Sequence, residues 1–167
     1  MPPPMITLTA DEIRIAAMVG ILRQCAHLGR RRDRFPTVDP WEQDIHGACG
    51  ELAVCKFTGL VWTGLAQLGA RDVGDGIEVR TRRPSPTVRD DELLLTIWPD
   101  SLVASAAYVL VISRLPVFEI CGWIYGHEAQ RADWLLPLGR SSERAYRVPR
   151  LRLHAPEDLV GLTREIA

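Results

Sequence analysis

The chain has 167 residues, 20 basic and 21 acidic side chains, a formal net charge of -1 and 47% apolar residues. That is the length of one domain with enough apolar content for a packed core, and 25% charged residues excludes wholesale disorder. No apolar run reaches the roughly 18 residues of a membrane span, and near-neutral charge excludes coating of nucleic acid by net charge alone while leaving local basic patches open.

The start, Met1-Pro-Pro-Pro-Met5, has neither a basic stretch nor an apolar signal core, so export is not expected. Thr9 and Glu12 then have capping-box spacing. Ile15, Met18, Val19, Leu22, Cys25 and Ala26 recur at helical spacing, which predicts a helix over about 10–27. Arg30 to Arg34 form a basic loop. A second helix is predicted from near Trp41 or Glu42 to Thr58, where Gly59 stops it. Beyond residue 60 the pattern turns to strands at 77–82, 93–98, 107–112 and 117–125. Asp72 to Gly76 reads as a hairpin tip, 83–91 as a loop, 126–134 as a short helix, and the tail as a last helix from Glu157. The order predicts one domain of α+β class, a mixed β-sheet flanked by helices. Its parts are a helical segment at about 9–60, a sheet core at about 61–126 and a C-terminal extension at about 127–167.

Cys25, Cys49, Cys55 and Cys121 include no close CxxC pair, so a zinc knuckle is excluded and a reducing, cytoplasmic compartment is expected. Lys56 is the single lysine among the 20 basic residues.

Glu51 carries the most information. Its neighbours one helical turn away are Gly47, Ala48, Val54 and Cys55, with no basic residue at those spacings. A carboxylate in such a row is expected to be at least half buried, and a buried charge needs an arginine, a proton or a metal ion from elsewhere in the chain. The alternative is a partly exposed acid on a narrow polar strip with Asp44 and His46. A second cluster runs through Asp72, Asp75, Glu78, Arg80 and Arg82. Alternation along a strand puts Ile77 and Val79 on the core face and Glu78, Arg80 and Arg82 on the other. A tight hairpin at Gly74–Gly76 would bring Asp72 opposite Glu78, with Asp75 solvated at the tip. Together these are hard oxygen ligands beside a cation, a set that suits Mg²⁺ or Mn²⁺ and a phosphodiester.

The order Glu51 on a helix, Asp72, then Glu78-Val79-Arg80 on a strand resembles the PD-(D/E)XK nuclease superfamily, with its restriction-endonuclease-like core. The phrases Gly47-Ala-Cys-Gly-Glu-Leu-Ala53, Asp72-Val-Gly74, Glu78-Val-Arg-Thr81 and Gly122-Trp-Ile-Tyr-Gly126 are also similar to small uncharacterised phage proteins. The resemblance covers roughly 42–126. It implies a metal-dependent DNA endonuclease with Asp72, Glu78 and Glu51 as metal ligands and Arg80 at the position of the motif lysine. Arginine is a departure: it keeps its proton at any working pH, so Arg80 can hold phosphate but is a poor general base. The change equally fits a catalytically inactive nuclease-like fold that binds DNA or protein.

DNA as a partner needs cations for its phosphates. Arg30 to Arg34, Arg80 to Arg89, and Arg140, Arg144, Arg147, Arg150 and Arg152 offer them. A homo-oligomer, using the apolar strands at 107–125 as its interface, is a further expectation, and no membrane partner is expected. His46 and Cys49 lie three apart as a thiol–imidazole pair would, without an evident orienting group. His27, His46, His127 and His154 form no ligand motif and read as surface or loop residues.

Overall fold

The computed structural model describes residues 2–28, 39–64, 72–84, 89, 93–138 and 143–166, with side chains to 161. The predicted loop at 30–34, most of that at 83–91, and Arg140 lie outside the described residues.

The chain opens with a short strand, β1 (Met5–Thr7), and then two long helices, α1 (Ala10–His27) and α2 (Pro40–Thr58). The capping box at α1 forms as its spacing predicts: the Thr9 hydroxyl accepts from the Glu12 N–H and the Glu12 carboxylate from the Thr9 N–H. Asp39 caps α2, and Gly59 ends it in the left-handed conformation, φ 78°. The rest is β2 (Ile77–Arg82), β3 (Leu94–Ile97), β4 (Ala107–Arg114), β5 (Val117–Tyr125), α3 (Gly126–Ala129), β6 (Leu135–Pro137), β7 (Arg144–Pro149) and α4 (Pro156–Ile166).

The fold is α+β. A mixed sheet has the order β1-β5-β4-β2, in which β2 runs parallel to β4 and the other pairs are antiparallel. A second, antiparallel sheet has the order β3-β7-β6. The larger sheet is covered on both faces. Val79, Val109, Val111, Phe118 and Ile120 meet Ala16 of α1, Ala48, Ala53 and Val54 of α2, and Leu159 of α4. Tyr108, Leu110 and Ile124 meet Leu95, Ile97 and Val148 of the second sheet. Strand β4 is therefore buried from Ala107 to Ser113, which accounts for its unbroken apolar run. Strand β4, part of the stretch 107–125 expected to offer an interface, thus lies in the interior among the described residues.

Three further expectations change. The apolar residues that predicted α1 are largely on its outside: Ile15, Met18 and Leu22 are exposed, while Ala16, Gly20, Gln24 and His27 face inward. His27 is thus a buried residue rather than a surface one. Close helix contact explains the choice, because a Cβ on Gly20 would lie 2.6 Å from Ile45 Cα of α2. Strands β1, β6 and β7 arise in stretches rich in proline and arginine. Two of these strands have only three residues, too few to show alternation. The predicted helix at 126–134 is one α-turn followed by a 3-10 turn at Ala132–Trp134. Among the described residues no helix is long and apolar enough to cross a membrane.

Candidate functional site

Strand β2 stands at the end of the larger sheet among the described residues, and the site is built around it. The hairpin closes as predicted, with Val73 and Ile77 exchanging both backbone hydrogen bonds. That turn brings Asp72 alongside the edge, where its Oδ2 accepts from the Val79 N–H at 2.7 Å. An edge N–H that would otherwise point to open space is thereby capped. Glu78 and Arg80 project from β2 on the face opposite Val79, in register with Tyr108 and Leu110 of β4. The Arg80 guanidinium lies over the Tyr108 ring, 5.2 Å from its centre. Asp75 is exposed at the tip, as expected.

Glu51 comes from the other side. It is 4% exposed, so the reading of a solvated polar strip is overturned, and Asp44 is buried with it. Its partner is Arg23 of α1, which grips both carboxylate oxygens; the Nη2–Oε2 bond is 2.7 Å. Trp62 Nε1–H also donates to Glu51 Oε2 at 3.3 Å. Neither Arg23 nor Trp62 was singled out for this role in the sequence. Only the general argument that a buried Glu51 needs a distant cation pointed to a residue like Arg23.

The acids act on one another. Burial, then the charges of Glu51 and Glu78, push the Asp72 carboxyl up to about 7, against the pull of Arg80 and the Val79 N–H. Burial disfavours the Arg23 charge, but Glu51, Asp72 and Asp44 outweigh it and hold its pKa above the usual value. Glu51, Asp72 and Glu78 therefore belong to one electrostatic neighbourhood, at the junction of α2 with the β2 edge.

Arg80 Nη1 occupies the middle of an oxygen set. It lies 3.5 Å from Asp72 Oδ2, 3.3 Å from Glu78 Oε2 and 3.1 Å from the Val79 carbonyl oxygen. Two carboxylates and a carbonyl are the donors a hard divalent ion takes, with waters completing the octahedron at about 2.0–2.1 Å. The donors fit Mg²⁺ in kind, and the protein's own guanidinium nitrogen is the cation that collects them. Glu51 is turned to Arg23 instead. Among the described residues no three His, Cys, Asp or Glu side chains are gathered closely enough to hold a metal ion by themselves.

The remaining candidates are placed elsewhere. Burial, then the Glu51 charge, pushes the Cys49 thiol up to about 11, far from a thiolate nucleophile. His46 Nδ1 is 2.7 Å from Ser113 Oγ, the hydroxyl of a buried residue. His154 Nε2 pairs with Glu128 at 2.9 Å and stacks at a tilt on Trp123. Arg150 and Arg114 both bind Glu119. The four cysteines are free.

No family model, curated protein or solved structure matches the chain.

Proposed function

We propose that the chain is a metal-dependent DNA endonuclease of the PD-(D/E)XK type, with Asp72, Glu78 and Glu51 as Mg²⁺ or Mn²⁺ ligands and Arg80 beside them. One observation carries the reading: a single cationic atom, Arg80 Nη1, sits among oxygens from Asp72, Glu78 and Val79. When bound there, the ion would polarise a phosphodiester and lower the pKa of an attacking water. Arg80, released from the acids, would present its fork to two phosphate oxygens and stabilise charge developing on them. Asp72 and Glu78 would orient the reacting groups from the rigid strand edge. Arg23 would hold Glu51 in place until it is needed. Arg80 keeps its proton, so proton removal from the water falls to a carboxylate or to the substrate phosphate.

A second reading has its own observation. Each acid already has a guanidinium partner: Arg23 on Glu51, and Arg80 on both Glu78 and Asp72. On that reading the chain is a nuclease-like fold that binds DNA or a protein and cleaves nothing.

The test uses purified protein with Mn²⁺ or Mg²⁺ and supercoiled, linear and single-stranded DNA. Cleavage of any of these forms, lost in Asp72→Asn and in Glu78→Gln, is the expected result. No cleavage, together with no divalent-ion binding by calorimetry, would overturn the enzyme reading. DNA binding unaffected by both substitutions would then favour the second.

A further inference from the structure

From Ile15 of α1 to Leu28 at its C-terminal cap, the only acidic or basic side chains are Arg23 and His27. Arg23 is turned to Glu51, and His27 is buried. Every exposed residue of this stretch is apolar. Ile15, Met18, Ile21, Leu22 and Leu28 are each 42–65% exposed, and Cys25 is exposed among them. A helix on the outside of a domain ordinarily carries charge on its outer face, and one that is apolar all round is buried. The outer face of α1 has the composition of an interior.

Size, pattern and charge select the occupant. Together the five large side chains expose on the order of 500 Å², a size at which an apolar patch on a monomer is commonly a contact site. Doubled across a two-fold axis, the patch reaches the roughly 1,000 Å² that a specific interface needs. Ile15, Met18, Leu22 and Cys25 follow one another at steps of three, four and three residues, the spacing of positions a and d in a helix pair. Antiparallel pairing with a second copy then makes apolar layers only. Met18 lies opposite Leu22 of the partner, Ile15 opposite Cys25 of the partner, and Ile21 beside its own copy at the axis. Parallel pairing would instead set the exposed Asp11 and Arg14 against their own copies. An anionic lipid surface or a nucleic acid suits the face less well, because its bordering cation, Arg14, is already paired with Asp11.

We propose that the outer face of α1 is the interface of a homodimer, in which α1 packs antiparallel on α1 of a second copy about a two-fold axis between Met18 and Leu22. This interface does not rest on the nuclease reading.

Sedimentation equilibrium of the native protein tests it. Over about 1 to 500 µM the mass is expected to climb from one chain to two, as suits an interface at the lower limit of size. Met18→Glu, at an exposed position, should keep the native circular dichroism spectrum and weaken association about a hundredfold, because a carboxylate would be buried in the seam. Adding Leu22→Lys to the same chain should recover about tenfold at low salt, since the two new charges face each other across an antiparallel seam. Ile15→Cys, oxidised with diamide, should give a disulfide-linked dimer through Cys25 of the partner, and the native protein should not. A native protein that stays monomeric at the highest concentration, or a dimer that Met18→Glu leaves intact, would overturn the proposal. So would native dimers linked through Cys25 alone, which require parallel helices. If Met18→Glu does not fold, the native mass and the Ile15→Cys link decide the matter. A native monomer that sediments with phosphatidylcholine vesicles would give the face to a lipid surface and overturn the dimer.

Discussion

At Asp72 burial and two neighbouring carboxylates oppose the negative charge, while Arg80 and the Val79 N–H favour it. Opposition wins, and the carboxyl titrates at about 7 rather than 3.8. The native protein therefore holds a proton that the unfolded chain has released over this interval. In EDTA, the contribution of Asp72 to stability is present below about pH 4 and is lost as pH rises through about 7. Asp72→Asn should match the native protein at pH 4 and exceed it at pH 8 by on the order of 2 kcal/mol. Urea unfolding at the two pH values measures this, and a difference that does not change with pH would refute the account. At Glu51 the carboxylate is held by the Arg23 guanidinium. Arg23→Gln should cost about 3–5 kcal/mol by leaving a buried carboxylate facing a neutral amide. Denaturant midpoints would show it, and a loss below about 1 kcal/mol would mean that Trp62 and water suffice.

Burial of Glu51 was legible from its flanks, Gly47, Ala48, Val54 and Cys55. The identity of its partner was not, since Arg23 lies 28 residues away on another helix. Asp72 was legible through the glycines that follow it, because they prescribe a hairpin and a hairpin prescribes what lies opposite. The part of Trp62 is visible only in the structure, where its indole N–H is aimed at Glu51.

The packing of α1 on α2 and of α2 on β2 depends on two glycines. At Gly20 a methyl group would meet backbone, Ile45 Cα at 2.6 Å and the Asp44 carbonyl oxygen at 2.7 Å. At Gly50 it would meet a side chain, Thr81 Oγ1 at 2.0 Å. Backbone cannot give way locally, whereas a hydroxyl can be removed. Gly20→Ala and Gly50→Ala should each cost about 1–3 kcal/mol, the former at the upper end. Thr81→Ala should recover most of the Gly50→Ala loss and none of that at Gly20. Thr81 Oγ1 is itself buried without a hydrogen bond among the described residues, so its removal has little to lose. Melting temperatures of the single and double variants decide this, and equal rescue at both sites would contradict the contact geometry. The same two contacts explain why the ends of α1 and α2 were readable and the inward face of α1 was not. Caps and glycine stops act within a turn of the residues that make them. Which face turns inward is decided by how closely another helix can approach. At Gly20 that consideration outweighed the apolar row of Ile15, Met18 and Leu22.

The larger sheet joins two cores that share its strands, with helices on one face and the second sheet on the other. Leu110 of β4 is fully buried on the side of the second sheet. Leu110→Ala should cost about 2–5 kcal/mol. If the two cores unfold together, the loss will appear equally in far-ultraviolet dichroism and in tryptophan fluorescence. Separate transitions would mean that the second sheet melts by itself. The α+β class and the four long strand and helix runs follow from periodicity, capping residues and turn glycines, all of which act over a few residues. The pairing of β2 in parallel with β4, the second sheet that joins β3 to β6 and β7 of the arginine-rich tail, and the assignment of Arg23 to Glu51 arise otherwise. They join residues far apart along the chain, where burial, charge and close packing choose among partners that local pattern leaves equivalent.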